Sequence, residues 1–339
     1  MVRQSLRLLN DSAFFDRRLH DFTEHLIGAI DHVLAAPTLY DSAIVRQFAD
    51  QMRLVQSYLA GSTSNEIPYE VVYCLTNALA PWVKRETIIV TSLTEGHNFH
   101  LLPVDPWNFI RTTISGYDTA GFNILLVMIG VPRLYSHKPV FCIPLFHELG
   151  HFVDVTSKLS EVTVLLNSAA IAPVDADELA HRREFFADVF SSCFVGYAGI
   201  EALKTIAPNH PTTYTHPATA DRIQVVSDFL GSINNPIVDL LTTAVAALGL
   251  PNLRIASSKA NLAVDFDDLR TFAGSNIGEV YGIFEAAWNY MFEAIDQGRN
   301  PWGLSPVRET DIETVVNDLT EKSIRNYALR VAWNETATP

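Results

Sequence analysis

The run His147, Glu148, Leu149, Gly150, His151 restricts this chain more than any other stretch of its sequence. Residues four apart lie one turn from each other on one face of an α-helix, so the two imidazoles can meet a single metal ion if the run is helical. Pro144 fits the first turn of such a helix, where its missing N–H costs nothing. Phe146, Leu149, Phe152 and Val153 give the helix apolar neighbours and imply that it is packed, not an exposed helix with two unrelated histidines. Glu148 falls beside the metal without having to bind it. From there a carboxylate can take a proton from an activated water and later pass it to a leaving amine.

Two histidines and a water leave one protein ligand missing from a tetrahedral catalytic zinc site. The stretch from His181 to Asp188 is the best supplier. Glu184 and Asp188 are one turn apart and can both point at the site, Glu184 to bind zinc and Asp188 to accept a hydrogen bond from the outer nitrogen of a ligating histidine. Thirty-two residues separate His151 from Glu184, enough for one intervening helix and a return. Two alternatives stay open. Glu184 could be a surface carboxylate paired with Arg182 or Arg183, against which Phe185, Phe186, Val189 and Phe190 argue, and His181, one turn earlier, could be the ligand instead.

The 339 residues exceed the usual size of one compact core, which predicts either one catalytic domain with sizeable appended elements or two closely packed domains. With 48% apolar and 18% charged residues, burying a core is no difficulty. A formal net charge of -14, with no block of lysines and arginines against it, would repel a phosphate backbone, so no nucleic acid is expected as a partner. Met1 to Leu9 lacks the apolar segment and small-residue cleavage site of a signal peptide. The apolar runs from Phe122 to Val131 and from Val140 to Phe146 fall short of the roughly 18 residues that span a bilayer, so no membrane span is expected. Cys74, Cys142 and Cys193 are scattered, odd in number and set among apolar residues, which predicts buried thiols in a reducing compartment and a cytoplasmic location.

Periodicity predicts a mainly helical α+β chain with a small β-sheet. Phe15, Leu19, Phe22, Leu26, Ile30 and Val33 mark a helix after a cap at Asp11, ending near Pro37. A second helix uses Val45, Phe48, Met52, Val55 and Leu59 and stops at Gly61, and a third begins near Pro68 and ends before Lys84. Strands are expected over Thr87 to Ser92, Phe99 to Val104 and Phe122 to Gly130. Helices follow at about 144–155, 158–170, 177–199, 217–231, 236–249, 277–297 and 310–331, whereas Pro251 to Asn276 has no readable pattern. These boundaries predict a helical amino-terminal region over 1–83, a catalytic core over 84–250 and a helical carboxyl-terminal region over 251–339 packed on that core. His20, His25 and His32 do not share a helical face and read as packing or solvated residues. His97 and His100, in the connection between strands, read as loop residues.

The HELGH run followed by Glu184-Phe-Phe-Ala-Asp188 resembles the gluzincin zinc metallopeptidases, whose third ligand is a glutamate in an ExxxD pattern on a later helix. Further on, Thr215, His216 and Pro217, with Arg222 and Ile223, are similar to the THPxxxxRI segment of the CAAX prenyl endopeptidase and HtpX group within that clan. The resemblance covers roughly residues 140 to 230 and departs from that group in lacking transmembrane helices. It implies a zincin-like catalytic core and a Zn2+ cofactor. It also implies that His216 lies near the zinc and helps stabilise an oxyanion, with Arg222 ordering the site and Tyr214 as an alternative donor. By its residues alone, His216 could equally be an exposed position in the first turn of a helix.

The expected activity is hydrolysis of a peptide bond in a peptide or protein substrate, with zinc held by His147, His151 and Glu184 and with Glu148 as general base and then acid. A strand between Thr87 and Gly130 is expected to border the cleft and orient an extended substrate. The alternative is a zinc-containing regulatory or binding protein on a latent or inactive peptidase fold. An intact Glu148 argues against it, since a purely structural site needs no base. A specialised toxin or self-processing protease has no distinguishing feature here, and oligomeric state has no signature.

Overall fold

The computed structural model describes residues 1–62, 69–102, 105–120, 124–167 and 176–337. They are mostly helical with one three-stranded sheet, as expected for a mainly helical α+β chain. The chain forms two compact units, Met1–Val72 with Val83–Ser136, and Tyr73–Trp82 with His137–Pro339. These divisions differ from boundaries at 83 and 250.

In the first unit, α1 (Val2–Asn10), α2 (Arg18–Ala35) and α3 (Ser42–Gly61) precede the first turn of α4 (Tyr69–Leu79). Asp11 does not start the second of these helices. It closes α1, with its N–H on Arg7 O at 3.1 Å, and the turn into α2 is made at Asp16, whose carboxylate accepts the Arg18 N–H at 3.0 Å. Asp41 caps α3 by accepting from Ala43 N at 2.7 Å. Gly61 ends α3 hard against β1 (Thr87–Thr94), for a Cβ there would stand 2.3 Å from Thr91 O.

The sheet has the order β1-β3-β2, with β2 at His100–Leu102 and β3 at Leu125–Pro132. β1 runs parallel to β3, pairing Thr87 with Leu125 and Thr94 with Pro132, and β2 runs antiparallel to β3, pairing His100 with Gly130. Both parallel strands are buried almost without interruption, as parallel strands covered on both faces are. The sequence pattern missed α5 (Pro106–Thr113), which Asp105 caps through Trp107 N and Asn108 N, with Pro106 in the first turn. His100 lies in a strand, not a loop, with its ring over Gly130, where a Cβ would come within 2.2 Å of it. His20 meets Asn10, His25 packs on Trp107, and the ring of His32 reaches Ser115 O. The expected start at Pro68 and the expected strand ends at Val104 and Phe122 lie outside the described residues.

The second unit takes the rest of α4 and then α6 (Pro144–Ser157), α7 (Leu159–Asn167), α8 (Ala176–Val195), α9 (Ala198–Ile206), α10 (Thr219–Leu230), α11 (Pro236–Ala247), α12 (Ala263–Asp267), α13 (Ile277–Asp296) and α14 (Glu309–Ala337). The end of the helix expected over 158–170 lies outside the described residues. The helix expected over 177–199 is two helices, because Gly196 adopts φ +56°, which ends α8 before α9 begins. The core of this unit is aromatic. Phe146 on α6 stacks on Phe194 of α8 and meets Phe284 and Tyr281 of α13 edge-on, while Trp82 meets Phe186 and Phe190. The buried Asn317 of α14 accepts the Val140 N–H at 3.0 Å, just before α6, so the last helix fixes the entry to the HELGH helix.

Between α11 and α12 the chain runs without regular structure and is pinned by backbone bonds. Ala256 N and Ser257 N donate to Cys193 O at 2.7 and 3.1 Å, and Ser258 N donates to Gly278 O at 2.9 Å. This strap lies so close to α13 that a Cβ on Gly282 would stand 1.8 Å from Ser258 O. Among the described residues, no helix is long and apolar enough to cross a membrane.

Candidate metal centre

The HELGH run is helical, within α6, so His147 and His151 share a face as their spacing requires, with ring centroids 4.5 Å apart. Opposite them stands α8, whose residues divide by turn. Phe186, Phe190 and Phe194 face the aromatic core, while Glu184 and Asp188, four apart, face α6. Gly150 lets the two helices approach. A Cβ on it would stand 2.7 Å from the Cα of Ala187, between the two acidic residues of α8.

His147, His151 and Glu184 each offer one donor atom, and these atoms lie within 4.8 Å of one another. His147 Nε2 is 3.5 Å from Glu184 Oε2, and His151 Nε2 is 3.3 Å from Glu184 Oε1. Donors bound to zinc at about 2.0–2.1 Å in a tetrahedron stand about 3.4 Å from one another, so the spacing fits such an ion. Glu184 Oε2 is buried and makes no hydrogen bond, and although Arg222 Nη2 stands 3.2 Å away as a charge partner, the oxygen keeps lone-pair capacity for a metal ion. Two imidazoles and one carboxylate make a ligand set for a first-row transition ion, zinc and iron(II) among them.

Asp188 stands behind His147. Its Oδ1 is 2.9 Å from His147 Nδ1, within hydrogen-bond length though off the direction of the ring N–H. This contact leaves Nε2 as the nitrogen turned toward Glu184. Arg222 of α10 grips Asp188 with two parallel bonds, Nε to Oδ2 at 2.7 Å and Nη2 to Oδ1 at 2.8 Å, and lies 3.2 Å from Glu184 Oε2. Arg222, Glu184 and Asp188 are all buried. A planar guanidinium suits this arrangement because it can hold one carboxylate by its fork while facing a second.

The charges of the cluster shift one another. Burial works against a charged His147, but the Asp188 and Glu184 carboxylates outweigh it and push the imidazole up to about 10. Burial alone would raise Glu184, yet the two histidines hold it well below the usual carboxylate range. Asp188 is likewise held low, burial being overcome by Arg222 and His147, and Arg222 is held above its ordinary value by Asp188 and Glu184. The two carboxylates thus favour a positive charge at His147, whether a proton or a metal ion supplies it.

Glu148 is half-buried on α6 and does not belong to the ligand group. His216 lies in the loop before α10, half exposed, with Nε2 3.6 Å from Glu184 Oε1 and Nδ1 2.7 Å from Thr215 Oγ1. Tyr214 in the same loop is exposed. His181 contacts Thr213 O at 2.7 Å, which ties α8 to the loop that carries His216. The chain therefore carries a His-His-Glu group positioned to hold a metal ion, backed by an acidic residue and an arginine. Comparison with protein-family models, with curated proteins and with solved structures finds no match to the chain in any of the three.

Sequence reasoning missed the role of Gly150. Its signal was present, since a glycine in the middle of a helix costs about 0.5–1 kcal/mol relative to alanine and asks for a reason.

Proposed function

We propose that the chain is a zinc-dependent peptidase of the gluzincin kind. The observation that carries this is the convergence of His147, His151 and Glu184 donors with Glu148 on the same helix but outside the ligand group. His147, His151 and Glu184 would hold the zinc, which when bound would supply Lewis acidity to a carbonyl and acidify a water. Glu148 accepts the proton of the attacking water on its carboxylate and returns it to the nitrogen of the leaving amine, so that it ends the cycle as it began. Asp188 holds the ring of His147 through Nδ1, and Arg222 holds Asp188. His216, at the solvent edge of the site, donates a hydrogen bond to the oxygen that gains negative charge, a role for which the more exposed Tyr214 is the alternative. The substrate is a peptide or protein.

The approach of His216 Nε2 to Glu184 favours a second reading, in which this histidine fills the open position and the chain is a zinc-containing regulatory or binding protein. One experiment separates the two. Wild type and Glu148→Gln, loaded to equal zinc content, are incubated with a peptide library and the products read by mass spectrometry. The peptidase is expected to lose activity by about 10²–10⁴-fold in the variant. Equal turnover removes Glu148 as the base, and no turnover by wild type supports the second reading.

A further inference from the structure

A second site lies elsewhere in the same unit. A cavity of about 450 Å³ opens between α13, the strap and the joint of α8 and α9, and its lining includes Tyr197, Ile255, Lys259, Glu285 and Ala286. That volume suits a small organic molecule. Most of the wall is apolar or small. On the α13 side the polar residues are the exposed Asn289 and Glu285, a half-buried carboxylate that sits over Gly196 so closely that a Cβ there would meet Oε2 at 1.9 Å. The left-handed turn at Gly196 that separates α8 from α9 thus also makes room for this carboxylate.

Glu285 is incompletely matched where it stands. Among the described residues it accepts one hydrogen bond, from Tyr197 N at 3.3 Å, and forms no ion pair. Burial holds its carboxyl above the usual range, and the Tyr197 N–H opposes this only in part. Lys259 lines the same cavity but is exposed and forms no ion pair with it among the described residues. A carboxylate taken from water beside apolar walls is stabilised by a cation brought to it, the more so on a chain of net charge -14.

We propose that this cavity binds a small organic cation, an ammonium or amidinium on an apolar body, with Glu285 as its counter-charge. Gly196 makes room for Glu285 and Gly282 for the strap, and Tyr197 and Ile255 cover the apolar part of the ligand. The site is independent of the metal centre and does not rest on peptidase activity.

The test uses the whole protein and three probes of one shape, benzamidine, benzamide and benzoate, titrated by calorimetry and by NMR. Benzamidine is expected to bind saturably at millimolar concentration or below, and its neutral and anionic analogues much more weakly. Glu285→Gln is expected to weaken benzamidine at least about tenfold, the loss of a charge-assisted bond. Its side-chain amide oxygen can still accept the Tyr197 N–H, so the fold is retained, as circular dichroism will report. Ala286→Trp leaves the carboxylate and fills the cavity, and should abolish binding. Lys259→Ala removes a competing cation and should tighten binding. Absence of saturable benzamidine binding, equal binding of benzamide, equal affinity in Glu285→Gln, or weaker affinity in Lys259→Ala would each overturn the proposal.

Discussion

Gly150→Ala sets two effects of opposite sign against each other. By propensity alone, alanine in mid-helix is favoured over glycine by about 1 kcal/mol, so an open site would be stabilised. Here the new methyl would stand 2.7 Å from Ala187 Cα and 3.2 Å from Ala187 O, where carbon atoms ordinarily sit about 3.5–4.0 Å apart. The obstacle is backbone and cannot rotate away, so α6 and α8 must separate by about 1 Å, at a cost of about 1–3 kcal/mol for overpacking. The clash outweighs the propensity gain, and the melting temperature should fall by a few degrees, at about 2–4 °C per kcal/mol for a unit of this size. Glu184 and Asp188 flank Ala187 and move with it, whereas a site tolerates misplacement of only about 0.5 Å, so zinc affinity should fall by about 10–100-fold. Thermal melts by circular dichroism and competition with a fluorescent zinc indicator read the two effects separately. Gly199→Ala is the control. Its nearest neighbour would be a Val195 methyl at 3.4 Å, and it should be neutral or stabilising. If Gly150→Ala melts at or above wild type with unchanged zinc affinity, the close crossing of α6 and α8 is not what builds the site.

Zinc uptake at pH 7 should release about one proton, because His147, raised from its ordinary 6.5 to about 10 in the metal-free protein, must deprotonate to bind. Calorimetry in buffers of different ionisation enthalpy measures that number, and a value near zero would refute the protonated state. By the same shift, stability that His147 gives the metal-free protein is fully present below about pH 6.5 and is lost as pH rises through about 10, so urea midpoints should fall across that window. Asp188→Asn removes one of the two carboxylates facing a buried guanidinium and should cost about 3–5 kcal/mol in urea unfolding, while a loss under about 1 kcal/mol would mean that Glu184 alone suffices for Arg222.

The ligand group was legible in the sequence because helical geometry is local. His147 and His151 are four apart, as are Glu184 and Asp188, and any helix over those residues puts each pair on one face. Arg222 entered by resemblance alone, since no spacing links residue 222 to residue 188 before the chain folds. The strands at Thr87 and Leu125 showed in their β-branched and apolar runs, but their parallel pairing did not, because a parallel partner is separated by a crossover that periodicity does not count. The split at Gly196 was hidden by the apolar residues on either side of it, Val195 and Tyr197, which continue a helical pattern through a glycine whose positive φ only the folded chain reveals. Asp105 and Pro106 form a helix-start signal that was overlooked because α5 is only two turns long.

The strap over α13 determines how this part of the chain can vary. It is held through its own N–H groups, at Ala256, Ser257 and Ser258, and it fits because α13 carries glycine at 278 and 282. Its amide bonds ask nothing of its side chains, so sequence drift should be cheap at its exposed positions such as Asn252 and Arg254, though not at the buried Ala260 and Leu262 or at Ile255 in the cavity wall. A deletion of one residue would not be cheap, since it shifts every following residue against the amide bonds that pin the strap and replaces one wall of the cavity with another set of residues. Among natural variants, substitutions should therefore gather at the exposed positions of the strap and be rare at Gly278 and Gly282, while its length stays fixed.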